Sequence, residues 1–204
     1  GGTMISTKTA VKNLVNIVET SVTSKNWDEG RRWYIEAHLF CESLARQHNQ
    51  PIEVVVGCLA ALSPNCSWKV NNEATEELLQ VGSCSGNVYP DNVKKALRIL
   101  YYGVKPYDAL SKNKRYGNKV RSFYKNILEP KHSNDVTVDT HATRAAFDNL
   151  DINVKTLRLV FQSVKGYTTL VKAYQEVALR YNVRPCELQA VVWLSVKDAL
   201  NNGR

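Results

Sequence analysis

The chain has 204 residues, 44% of them apolar, and a net charge of +8 from 27 Lys and Arg against 19 Asp and Glu. That apolar share excludes a disordered chain, and no apolar run approaches the roughly 18–20 residues of a membrane span. Five cysteines at positions 41, 58, 66, 84 and 186 contain no CxxC pair, which excludes the usual zinc and iron–sulfur frameworks. They fit a reducing, cytosolic setting.

Gly1, Gly2 and Thr3, ahead of Met4, read as a cloning remnant, and residues 4–204 as a single helical domain with no secretory leader. Val11, Leu14, Val15 and Val18 make one helical stripe, and Trp33, Ala37, Phe40, Cys41 and Leu44 make another. Residues 52–62, IEVVVGCLAAL, are apolar on every side, as a helix buried by its neighbours would be. Further helices are predicted over 69–80, 91–102, 118–128, 140–150, 154–163, 167–181 and 186–201. HNQP, LSPNCS, SCSGN, YGVKP, EPKHSND and NVRP separate the helices. VVVG and VTV are too short to establish a strand. The expectation is an all-α fold of about nine or ten helices in one compact body.

The charge is unevenly placed. Residues 94–131 hold eleven Lys and Arg against Asp108 and Glu129, interleaved with Tyr101, Tyr102, Tyr107, Tyr116 and Tyr124. Such a run is often just a solvated face. Clustered cations also bind nucleic acid by releasing its counterions, and interleaved rings suit base contacts.

Three stretches carry candidate chemistry. In VTVDTHATRAAF (136–147), Asp139 sits where a helix N-cap belongs. A carboxylate held there as an anion would also stabilise positive charge developing on a sugar. In NKRYGNKVRSFY (113–124), a basic turn with one glycine leads into a helix, so that backbone N–H groups and cations would meet a phosphate. Like charges from Arg115 and Arg121 would favour Lys119 as a neutral amine nucleophile. In ALSPNCSWKVNNEATEELL (61–79), the turn offers Asn65 and Ser67 ahead of Trp68, either as a polar wedge or as an ordinary capped helix start with a core ring.

Taken in order, these stretches resemble the helix-hairpin-helix (HhH-GPD) DNA glycosylase superfamily, the group that includes endonuclease III. Leu62-Ser63-Pro64-Asn65-Cys66-Ser67 with Asn72-Glu73-Ala74-Thr75 resembles the family's LSxQxT phrase. Gly117-Asn118-Lys119 matches the second glycine and the lysine of its LPGxGxK hairpin, and Val138-Asp139-Thr140-His141 its VDTH phrase. The resemblance spans most of residues 30–200. It implies a two-lobed helical fold with a central cleft into which a base is flipped, with Asp139 the catalytic aspartate and Lys119 the Schiff-base lysine. It places Asn65, Ser67, Lys114, Arg115, Tyr116, Gly117, Asn118, Arg121 and His141 against DNA, and Asn65 in the gap left by the flipped base.

The hairpin's first glycine and its proline are replaced by Arg115 and Lys114, and the family's four-cysteine iron–sulfur cluster is missing. The implied protein is a monomer that needs no cofactor and binds duplex DNA, in the cytosol of a bacterium or a phage-infected host. KVRSFYKNI, VTVDTHA and LQAVVW also resemble phage-encoded relatives that hypermodify thymine. There an amine displaces pyrophosphate from a 5-(pyrophosphoryloxymethyl) base, Asp139 acting as base and Lys119 holding pyrophosphate. A silent DNA-binding module is the third reading. Trp193 reads as core.

Overall fold

The computed structural model describes residues 4–110 and 117–202. Among them the structure is helical, with eleven helices and no strand. In chain order these are α1 (Thr7–Thr20), α2 (Ser24–His48), α3 (Ile52–Leu62), α4 (Trp68–Val81), α5 (Pro90–Tyr101) and α6 (Pro106–Ala109). They continue with α7 (Gly117–Leu128), α8 (Thr140–Phe147), α9 (Val154–Gln162), α10 (Val164–Arg180) and α11 (Pro185–Asn202). No helix among the described residues is long and apolar enough to cross a membrane.

Local chemistry sets these boundaries. Ser6, Ser67, Asp139, Asn153 and Ser163 each accept a hydrogen bond from the first turn of the helix they open. Pro90 and Pro106 stand at first helical positions, where the N–H they lack would have no helical partner. Left-handed residues stop others: Gly82 (φ 77°) ends α4 and Asp148 (φ 49°) ends α8. Asp148 is the reason α8 stops at Phe147 rather than at the predicted residue 150. The four-residue α6, which begins at the last residue of the YGVKP break, is too short to show a periodicity.

The chain forms two compact units, Gly1–Tyr34 with Lys131–Arg204 and Ile35–Pro130. The first is called here the terminal unit and the second the middle unit; the chain passes between them inside α2 and again after Pro130. In the terminal unit, Leu14 and Ile17 of α1 pack with Leu170, Tyr174 and Val177 of α10 and with Leu188 and Val192 of α11. Val136 and Val138 extend through that core. Gly30 on α2 has no room for a side chain. A Cβ there would stand 2.6 Å from the Val191 Cα and N of α11, backbone atoms that cannot step aside. Gly30→Ala is expected to cost about 1–3 kcal/mol, read as a lower denaturation midpoint.

The middle unit is built around α3. Residues Val55–Leu62 are buried on all faces, as the unbroken apolar run predicts, and α4, α5, α6 and α7 pack against this helix. Cys58 lies fully buried in it, and burial pushes its thiol pKa up to about 12; Cys41 on α2 is raised to about 12 for the same reason.

Candidate active site

The terminal unit holds Asp139 at the end of a fixed extended segment. Val136 and Val138 are fully buried, yet no strand among the described residues pairs with their backbone. The Tyr167 hydroxyl takes the place of a strand partner: it donates to the Val136 carbonyl at 2.7 Å and accepts from the Val138 N–H at 3.1 Å. Seven residues along α10, the Tyr174 hydroxyl donates to the Ala142 carbonyl at 2.8 Å, inside the first turn of α8. Asp139 lies between these two clamps. Its Oδ1 accepts from the Ala142 N–H at 2.8 Å, and its carbonyl accepts from the Thr143 hydroxyl at 2.8 Å.

The N-cap reading of Asp139 therefore holds, and it leaves the residue chemically available. The side chain is half-buried, and its second carboxylate oxygen has no hydrogen-bond partner among the described residues. Behind it, burial raises the phenol pKa values of Tyr34 and Tyr174 well above the ordinary 10, and the Asp139 charge adds to both. Both phenols thus remain neutral donors. Tyr34 donates to the Gln189 side chain of α11 and is hydrogen-bonded to Thr137, which ties the segment to two more helices.

His141, half-buried in the first turn of α8, has its Nδ1 3.0 Å from Arg144 Nη1. A guanidinium only donates, so Nδ1 accepts and the ring proton sits on Nε2. Burial lowers the pKa of His141 below the ordinary 6.5; Asp139 opposes this, while Arg144 and Lys197 reinforce it. The unfolded chain takes up this proton near pH 6.5 and the folded chain only at lower pH. The contribution to stability is therefore complete above about 6.5 and lost as pH falls from there toward the lowered folded value. His141→Gln is expected to flatten that part of the melting-temperature profile relative to wild type. Trp193 is half-buried rather than core: its ring lies 6.2 Å from His141 and 6.5 Å from Trp33, with Lys197 Nζ 4.9 Å from its centre.

The middle unit holds Lys119 in the first turn of α7. The residue is half-buried and makes no hydrogen bond or ion pair among the described residues. Burial raises the pKa of the Cys66 thiol, and the charge of Lys119 partly offsets that. A cation in a first turn opposes the helix dipole, so Lys119 is not explained by helix stability. Arg121, two residues on, is partly committed within the unit. Its Nε donates to the Tyr107 carbonyl at 3.0 Å, and its guanidinium lies 3.9 Å from the centre of the Tyr107 ring, which Lys125 also approaches. Tyr124 is buried, and burial pushes its pKa up to about 12. Tyr101 and Tyr102 stay exposed.

Asn65 is exposed at the turn between α3 and α4, with a left-handed backbone (φ 58°). The Ser67 hydroxyl caps α4 by accepting from the Val70 N–H at 3.2 Å, and Trp68 is half-buried against Phe40 and Phe123. The capped helix start is present, with Trp68 half-buried rather than core, and Asn65 stands exposed on the turn. Gly117 opens α7, and Asn118 is exposed beside it. Lys114, Arg115 and Tyr116 lie outside the described residues. Among the described residues no three His, Cys, Asp or Glu side chains gather as a metal site.

The chain belongs to DUF7178, a family of unknown function whose profile matches residues 2–200. No curated protein and no solved structure matches it.

The features of this DUF7178 chain that sequence reasoning misses are hydroxyls. Tyr167 and Tyr174 lie on the buried face of α10 as core rings. No sequence signal says that their oxygens hold the Asp139 segment. Tyr167→Phe removes both bonds and leaves the buried Val138 N–H without a partner. The expected cost is about 1–3 kcal/mol, measured by denaturant unfolding, together with a loss of whatever reaction depends on Asp139.

Proposed function

We propose that the chain is a DNA enzyme that turns one nucleotide out of the duplex and cleaves its N-glycosidic bond, with lyase activity through Lys119. The observation that carries this reading is the state of Asp139. Its carboxylate has one oxygen anchored by an N-cap bond and the other unengaged among the described residues, on a backbone clamped by two buried tyrosines. An anion fixed in this way suits a reaction that builds positive charge on a sugar, because no reorganisation is needed as the charge develops. The target must leave the stack, since C1′ cannot be reached inside a duplex.

Lys119 supplies the second group, a lysine at the start of α7 with no partner among the described residues. Its amine would form a bond to C1′ as the base departs with the glycosidic electron pair. The C1′–O4′ bond then opens, O4′ taking up the proton the amine gives up, and the resulting iminium permits loss of a C2′ proton with β-elimination of the 3′ phosphate. Asp139 and Lys119 belong to different units, and the proposal requires both to reach the same deoxyribose. Duplex DNA incubated with the protein is expected to acquire alkali-labile sites. DNA that binds and stays alkali-stable across a panel of damaged and modified bases would remove this reading.

A further inference from the structure

The middle unit contains a cavity of about 460 Å³ that the glycosidic chemistry above does not use. It lies beside the start of α5, with Ala61, Leu110 and Val120 as apolar wall. A volume of this size suits a small planar ligand. The wall also carries Asn92, which is only 9% exposed and whose side-chain amide has no hydrogen-bond partner among the described residues. Its amide atoms are not sealed from solvent, so they stay open to a partner that enters the cavity.

The other polar groups narrow the class of ligand. Pro90 has no N–H, and the N–H groups of Asn92 and Val93 are both taken by the Tyr89 carbonyl, so the start of α5 has little to offer an anion. Asp91 adds a negative charge at the wall. A ligand whose buried part is an anion is therefore disfavoured. The Asn92 amide presents a donor and an acceptor side by side, the pattern that pairs with the edge of a base. Tyr89, at the rim and 55% exposed, offers a ring face for stacking. Lys95 supplies a cation, and Asn65 a second amide.

We infer that this cavity holds one unpaired nucleobase, with the Asn92 amide on its edge and the Tyr89 ring against its face. The choice of ligand rests on the DNA reading above, but not on the glycosidic chemistry. Asn65 then belongs to a base-holding wall, a different task from filling the gap left by a flipped nucleotide.

The test is the affinity of the full chain for two labelled single-stranded 12-mers, one with bases and one built from tetrahydrofuran abasic units, by fluorescence anisotropy. Wild type is expected to bind the base-bearing strand about ten-fold tighter. Asn92→Leu is expected to abolish that preference, to leave the abasic strand's Kd unchanged, and not to lower the melting temperature, since the Asn92 side chain makes no hydrogen bond among the described residues. Tyr89→Ala, a change at an exposed ring, should weaken base-bearing binding alone. Free deoxynucleotides that compete only against wild type would also support the pocket and mark it as open to mononucleotides. Equal wild-type affinity for both strands would overturn the inference, as would variants that lose both strands equally. If duplex DNA gains no alkali-labile sites while base-dependent binding persists, the glycosidic reading fails and the pocket stands.

Discussion

Lys119→Ala is expected to lose, completely, the covalent adduct that the wild-type protein forms with an abasic-site oligonucleotide in borohydride. An abasic site presents the C1′ aldehyde directly, so this test does not depend on which base the enzyme prefers. The lysine amine condenses with the aldehyde, water leaves, and hydride reduces the C=N bond to a stable amine. The variant should fold at least as well as wild type. Lys119 occupies a first turn with no acidic residue and makes no ion pair among the described residues. Removing a cation from that position relieves about 0.3–1 kcal/mol of unfavourable dipole interaction. An adduct that persists in Lys119→Ala assigns the nucleophile elsewhere.

Asp139→Asn is the second large effect. Asparagine caps a helix about as well as aspartate, so the Ala142 N–H keeps its acceptor and the unfolding midpoint should move little. What disappears is the negative charge. Loss of one preorganised electrostatic contact typically slows a reaction about 10²–10³-fold, and that is the expected fall in the rate of base release. DNA affinity should hold or rise slightly, because a like charge to phosphate has been removed. A variant that releases base at the wild-type rate would reduce Asp139 to a helix cap. Asp139→Ala loses the cap as well and is expected to cost about a further 1 kcal/mol of stability.

Much of the fold is legible in the sequence because its signals are local. The unbroken apolar run of α3 announces burial, and the turn residues mark nearly every helix end. What escapes the sequence depends on residues far apart in the chain. The clamp on Asp139 comes from Tyr167 and Tyr174, about 30 residues downstream, whose rings obey the apolar pattern and whose oxygens do not disturb it. The interleaving of cations and aromatics around residues 94–131 suggests a nucleic-acid face. Part of it closes on itself instead, with Arg121 stacked on Tyr107 and Tyr124 packed inside. Trp193 reads as core from its apolar neighbours, yet its ring is half-buried among His141, Trp33 and Lys197. The candidate pair is legible only as two motifs; nothing in either stretch says that the two act together.

Nucleoside mass spectrometry, on DNA from the cell that makes the protein and after incubation with it, addresses that joint action most directly. The account predicts a free base in the supernatant and an equal number of abasic or cleaved sugars in the strand, both formed about 10²–10³-fold more slowly with Asp139→Asn. Nucleosides of added mass on an intact backbone, or DNA returned unchanged, would contradict it.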